Sequence, residues 1–142
     1  MKTIIRNGRV ITPDGIINGY VLYEDGKIVG IGTDDYAFPV DETIDAQGRY
    51  VSPGFIDIHT HGAGGADYMD GTVEAYLTAA RMSARHGATL VYPTTLTSSN
   101  EILFDTFDLY EKAVEANTEG AAFGGLHLEG PYFNPKQAGA QD

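Results

Sequence analysis

The alternation of apolar and polar residues predicts short β-strands over residues 1–50. Apolar runs rich in β-branched residues are separated there by the dipeptides Asn7-Gly8, Asp14-Gly15 and Asp25-Gly26. Asn-Gly and Asp-Gly tolerate positive φ and are the strongest short-range signal for a hairpin. We therefore predict that residues 1–50 form a small antiparallel β-domain with a structural role.

After this β-domain the pattern changes to strands that alternate with helices. Apolar residues at a spacing of three or four predict a helix from about Val73 to His86, and Gly87 provides its stop. Residues 88–92 then form an apolar run that predicts a buried strand, which we expect Pro93 to end.

A second helix and a third strand complete the pattern. Ser98 stands three residues before Glu101, the spacing of a capping box at the start of a helix. A strand is predicted over about residues 122–128. The order strand-helix-strand-helix-strand indicates βαβ units and a parallel sheet. For residues 51–142 this order fits both an open doubly wound sheet and the opening third of a (β/α)8 barrel.

Composition narrows the classes of function. The 142 residues carry a net charge of −11, from 20 acidic and 9 basic side chains. Nucleic acids and anionic membranes attract basic surfaces, so we expect neither as a partner. The absence of cysteine excludes disulfides and thiolate metal ligands. No apolar run approaches the ~20 residues of a membrane span, and the first residues lack a signal-peptide core, so we predict a soluble cytoplasmic protein.

The run Asp57-Ile58-His59-Thr60-His61 is the first candidate for chemistry. Residues two apart on a strand share a face, so Asp57, His59 and His61 are predicted to point one way and the isoleucines the other. Two histidines at this spacing can bind one metal ion through neutral ring nitrogens. They can equally be polar residues where a strand meets a loop.

A second polar pair, His127 and Glu129, lies at the end of the third predicted strand, where Gly130-Pro131 stops it. Active sites of parallel α/β folds lie at the carboxyl ends of strands, where both polar pairs are found. We therefore favour a metal site shared by the two strands, although spacing alone does not decide which residues are ligands. The threonines that follow the second strand, at positions 94, 95 and 97, could line a cleft, but hydroxyls at such positions more often cap turns.

The two clusters resemble a known family. Residues 51–62, V-S-P-G-F-I-D-I-H-T-H-G, resemble the first barrel strand of the amidohydrolase superfamily. Residues 125–134, G-L-H-L-E-G-P-Y-F-N, with Gly139-Ala140, resemble more narrowly the N-acetylglucosamine-6-phosphate deacetylase family. The resemblance implies an α/β fold in which residues 51–142 supply the first three strands and two helices of a (β/α)8 TIM-type barrel. Residues 1–50 would be the N-terminal part of a small β-sandwich domain. The barrel would be incomplete in this chain, because a whole one needs about 250 residues.

The same resemblance implies a divalent metal, with zinc first and iron or another metal as alternatives, bound as one or two ions. Glu129 would be the principal ligand, His59 and His61 would bind a second ion, and the backbone around Ala140 would contact the sugar. Gln141 stands where the family often has histidine.

The implied reaction is hydrolysis of N-acetylglucosamine 6-phosphate to glucosamine 6-phosphate and acetate by metal-activated water. The catalytic aspartate is expected downstream of residue 142, so we predict that this chain alone is inactive. For the full-length enzyme we expect a homodimer. Two alternatives remain. One is another amidohydrolase of the dihydropyrimidinase or dihydroorotase type, which normally uses a carboxylated lysine. The other is a non-catalytic assembly module.

Overall fold

The computed structural model describes residues 1–33, 36, 39–139 and 141. The chain divides into two compact units, Met1–Pro53 and Gly54–Asp142. This division lies shortly after the change of sequence pattern at residue 51. Each unit has its own sheet.

The first unit is a single five-stranded sheet. Strands β1 (Lys2–Thr12), β2 (Gly15–Glu24) and β3 (Lys27–Gly32) form the predicted antiparallel meander. Strands β4 (Glu42–Asp45) and β5 (Tyr50–Val51) both pair with β1 in parallel. Neither strand is joined to β1 by a tight hairpin, the connection that forces neighbouring strands to be antiparallel. Both can therefore pair with β1 in parallel.

The dipeptide Asn7-Gly8 does not form the predicted turn. Strand β1 continues through it, and the pairing with β2 shifts register between Ile5 and Gly8. Asn7 has a φ of 55°, and positive φ serves a β-bulge as well as it serves a hairpin turn. Gly8 is required at this bulge, since a Cβ atom there would lie 2.6 Å from Cγ2 of Val51.

The second unit contains parallel strands joined by helices. Strand β9 (Ala88–Thr95) is central and pairs in parallel with β6 (Phe55–Thr60), β10 (Ala122–Phe123) and β11 (His127–Leu128). A short hairpin of β7 (Gly62–Ala63) and β8 (Ala66–Asp67) follows β6. The helices are α1 (Val73–Arg85) and α2 (Asn100–Ala116). The predicted order and the parallel pairing are both confirmed.

Three details of the prediction are wrong. Pro93 does not end β9, because it faces a register shift in β6 where its missing N–H breaks no regular ladder. Ser99, not Ser98, caps α2, since the Ser99 hydroxyl accepts the N–H of Ile102 at 3.4 Å. The third strand is split into β10 and β11 at Gly125, whose φ of 140° interrupts the extended backbone.

An aromatic core joins the two helices of the second unit. Tyr68 and Tyr76 are fully buried against Ala79 and Ala113. The Tyr76 hydroxyl donates to the carbonyl of Thr106 at 3.1 Å. Burial raises the pKa of Tyr68 to about 12. In the part of the chain that the structure describes, no helix has both the length and the apolar character to cross a membrane.

Candidate metal centre

Three side chains from two strand ends converge in the second unit. Oε2 of Glu129 lies 3.2 Å from Nε2 of His59 and 3.0 Å from Nε2 of His61. One potential ligand atom from each of the three residues lies within 4.8 Å of the others. The structure thus brings together the three residues that were expected from the sequence to be metal ligands.

The strand topology explains this convergence. β6 and β11 both run parallel to β9, so their carboxyl ends meet beside the last residues of β9. His61 directly follows β6, and Glu129 directly follows β11. A ligand at each strand end therefore needs no long side chain to reach the other.

His61 is held in one orientation by the end of β9. Its Nδ1 lies 3.2 Å from the carbonyl oxygen of Thr94. The buried Thr94 hydroxyl in turn accepts the backbone N–H of Thr60 at 3.0 Å. The sequence favoured a turn cap for Thr94 over a place in a cleft. It did not predict the contact of Thr94 with the strand that carries the histidines, because that contact depends on the register of two strands.

The three residues fit a divalent ion. A carboxylate oxygen and two imidazole nitrogens are ligands that zinc and iron accept. Bonds of about 2.0–2.1 Å to a tetrahedral ion place its ligand atoms roughly 3.3 Å apart, close to the two observed spacings. Oε2 of Glu129 is also buried and lacks a hydrogen bond of good geometry, despite its two close imidazole neighbours. Buried carboxylate oxygens in proteins are paired with a cation or bind a metal, so this oxygen fits a metal ligand.

Asp57 does not join the two histidines, so the predicted common face is wrong. The pairing of β6 with β9 shifts register between Asp57 and Thr60, which breaks the simple alternation of side chains. The Asp57 carboxylate accepts the backbone N–H of His59 at 3.2 Å. Asp57 also lines a separate cavity of about 420 Å³, together with Met82 and Ser83 of α1.

The predicted sugar-contacting residue, Ala140, lies outside the described residues. Its neighbour Gln141 is described, and the Gln141 side-chain oxygen accepts the backbone N–H of Thr97 at 2.7 Å. Thr97 follows β9, and a Cβ atom on Gly130 would lie 2.3 Å from its hydroxyl. The segments that carry Glu129 and Gln141 therefore both lie against Thr97, a contact that no local sequence signal predicts.

Comparison with known proteins identifies the family. A model of the amidohydrolase family matches residues 42–116, which is more than half of the chain. The chain belongs to the amidohydrolase family.

Among curated relatives, N-acetylglucosamine-6-phosphate deacetylase of Bacillus subtilis is 35% identical over 144 residues, covering 97% of this chain and 36% of the relative. Dihydroorotase of Lactobacillus helveticus is 36% identical over 123 residues, covering 84% of this chain and 26% of the relative. The chain thus spans about a third of the first relative and about a quarter of the second.

The crystal structure of N-acetylglucosamine-6-phosphate deacetylase from Pasteurella multocida matches with a TM-score of 0.88 and 26% identity. The match covers 100% of this chain and 38% of that one. It decides between the two architectures that periodicity left open. The predicted α/β fold is confirmed: a small, mainly antiparallel sheet is followed by the parallel strands of a partial barrel.

Proposed function

We propose that this chain forms the metal-binding part of an enzyme that hydrolyses N-acetylglucosamine 6-phosphate to glucosamine 6-phosphate and acetate. The convergence of His59, His61 and Glu129 carries the proposal. The deacetylase relative, which matches almost the whole chain, supports this choice of substrate.

A divalent metal, most simply zinc, would be held by these three side chains. When bound, it would supply Lewis-acid activation of water and of the acetamide carbonyl. Glu129 provides the negative charge, and the Thr94 carbonyl orients the ring of His61. The other carboxylate oxygen of Glu129 would remain available as a ligand for a second ion. We propose residues 51–142 as the first three strands and two helices of the barrel, and residues 1–50 as part of a small β-sandwich domain.

The sugar would be bound near Ala140. The contact between Gln141 and Thr97 supports this assignment, because it fixes the residue next to Ala140 to the end of β9. An amide oxygen that accepts a backbone N–H leaves its own NH₂ group as a donor for a sugar hydroxyl. Gln141 would therefore take the place of the histidine that the family often has.

A second candidate is a dihydroorotase-type reaction, which the 36% identity to a dihydroorotase favours. Enzymes of that type normally use a carboxylated lysine on a later strand. Here the Glu129 carboxylate already lies 3.0 Å from His61. We therefore place the deacetylase first. The homodimer, the cytoplasmic location and the absence of nucleic-acid and membrane partners stay predictions.

Metal analysis of the purified chain tests the proposal. We expect about one equivalent of tightly held zinc or iron, lost in both Glu129→Ala and His59→Ala. His86→Ala is the matched control, because His86 caps α1 and is not one of the three converging residues, so it should keep the metal. Metal retained in Glu129→Ala would contradict the site. In the whole protein, release of acetate from N-acetylglucosamine 6-phosphate, without hydrolysis of dihydroorotate, separates the two candidate reactions.

A further inference from the structure

We propose that His127 is a positioning residue of this metal centre, which holds the backbone of β6 beside its two histidines. The inference rests on the proposed metal site. His127 and Glu129 form the polar pair at the end of β11, and the proposed function assigns no role to His127. Its Nδ1 lies 2.9 Å from the carbonyl oxygen of Ile58, across 69 residues of sequence.

The direction of this hydrogen bond follows from chemistry. A carbonyl oxygen can only accept, so Nδ1 of His127 must carry the proton and donate it. Ile58 lies within the register shift between Asp57 and Thr60, where β6 leaves its regular pairing with β9. A backbone carbonyl released from a strand ladder needs another partner, and His127 supplies one.

This hydrogen bond acts on the backbone between Asp57 and His59. The register shift separates Asp57 from His59 and His61, so it decides which side chains of β6 reach Glu129. A donor on the Ile58 carbonyl stabilises that irregular backbone against return to even pairing. His127 therefore selects the conformation of β6 that binds metal.

The ring of His127 makes a second contact with the site. It packs against the ring of His59 edge to face, with centroids 4.6 Å apart and planes at 81°. His127 and Glu129 are two residues apart at the end of one strand, so they share a face. One strand end thus supplies both a ligand and the group that orients a ligand of another strand.

Two substitutions separate the hydrogen bond from the bulk of the ring. In His127→Asn the amide nitrogen takes about the position of Nδ1 and can still donate to Ile58, whereas His127→Leu keeps the volume without a donor. Each variant of the full chain is titrated with Co²⁺, and both affinity and the visible ligand-field bands are recorded. We expect His127→Leu to weaken Co²⁺ binding about tenfold or more and to change the bands, as loss of an orienting partner does at metal sites. His127→Asn should stay close to wild type in both.

Three outcomes would overturn the inference. Wild-type affinity and bands in His127→Leu would show that the contact positions nothing. Equal loss in His127→Asn and His127→Leu would show that the site depends on the ring of His127 and not on its hydrogen bond to Ile58. A wild-type chain that binds no Co²⁺ would remove the metal site and the proposed function together, whereas the first two outcomes leave that function intact.

A further measurement is independent of folding in the leucine variant. Long-range ¹H–¹⁵N spectra of the wild type in mildly alkaline solution report which ring nitrogen is protonated. We expect His127 to be the Nδ1–H tautomer. An Nε2–H tautomer would overturn the inference.

Discussion

Nδ1 of His61 lies 3.2 Å from the carbonyl oxygen of Thr94, and this contact fixes which nitrogen of the ring faces Glu129. The carbonyl accepts, so Nδ1 carries the proton and Nε2 of the neutral ring presents a lone pair. That lone pair lies 3.0 Å from Oε2 of Glu129. Two acceptors at this distance require a cation between them, which a proton or a metal ion supplies. The backbone of β9 thereby prepares His61 to be a ligand.

The side chain of Thr94 gives the first prediction. Its hydroxyl accepts the N–H of Thr60 at 3.0 Å and donates to the carbonyl of Tyr92 at 3.1 Å. Thr94→Val keeps the shape but removes both hydrogen bonds. We expect it to lower the free energy of unfolding by about 1–3 kcal/mol, measured by urea denaturation. Affinity for zinc should fall as well, because Thr60 adjoins both histidines.

Thr94→Ser is the matched control, since it keeps the hydroxyl and removes one methyl group. Hydrogen exchange at the Thr60 amide distinguishes the two variants. That amide should exchange rapidly in Thr94→Val and remain protected in Thr94→Ser. Equal protection in both variants would mean that the Thr94 hydroxyl does not hold β6.

A second prediction concerns the two buried tyrosines. The Tyr76 hydroxyl donates to Thr106 at 3.1 Å, whereas the Tyr68 hydroxyl is buried without a hydrogen bond of good geometry, although Ser83 lies near it. Tyr76→Phe should therefore lower the free energy of unfolding by about 1 kcal/mol. Tyr68→Phe should change it little, because no well-formed hydrogen bond is lost. A larger loss in Tyr68→Phe than in Tyr76→Phe would reverse this assignment.

Alkaline solution should destabilise the wild type more than it destabilises Tyr68→Phe. Burial, assisted by the nearby carboxylates of Asp57 and Asp67, raises the pKa of Tyr68 from 10.0 to about 12. The folded state therefore favours the neutral hydroxyl, and the stability linked to it is complete below pH 10 and is lost as pH rises through about 12. Tyr68→Phe should weaken this loss. Urea denaturation of both proteins across that range measures it, and identical pH dependence would contradict the burial of the hydroxyl.

How much of this could be read from the sequence depends on how local each feature is. The pairs His59/His61 and His127/Glu129 were found because strand alternation and strand ends are local signals. The prediction that Asp57 shares a face with the histidines is wrong because of a register shift in β6. That shift is set by pairing with β9, which the sequence of β6 alone does not encode. The prediction that Pro93 ends β9 is wrong for the same reason.

The contacts around the site lay beyond sequence reasoning because they join distant segments. The contact between Thr94 and His61 spans 33 residues of sequence, and the contact between Gln141 and Thr97 spans 44. Each depends on one backbone group meeting one side chain in three dimensions. Composition and periodicity carry no information about such pairs, although they placed every helix and strand that brings them together to within a few residues.

The exposed apolar side chains of β6 give a third prediction. Phe55, Ile56 and Ile58 are 65%, 61% and 66% exposed, and β9 is the one described strand with which β6 pairs. An apolar strand with an open edge favours association. We expect the 142-residue chain to self-associate as its concentration rises, and Ile56→Lys to reduce this. Ile56→Val is the control, since it keeps the side chain apolar. Light scattering after size-exclusion chromatography measures the mass, and a wild type that stays monomeric would contradict the prediction.

The last prediction concerns catalysis by the 142-residue chain itself. Amide hydrolysis needs a group that takes a proton from the attacking water and returns it to the leaving amine. Glu129 would be unavailable for this role if, with His59 and His61, it held the proposed ion. The next carboxylate along β6, Asp57, is engaged with the N–H of His59 and lines the cavity beside α1.

We therefore expect the zinc-loaded chain to bind metal but to release no acetate from N-acetylglucosamine 6-phosphate above the background of zinc alone. An acetate assay on the wild type, with Glu129→Ala as the metal-free comparison, measures this. Turnover comparable to that of an intact deacetylase would contradict the prediction, because this chain would then have to supply a proton-transfer group of its own.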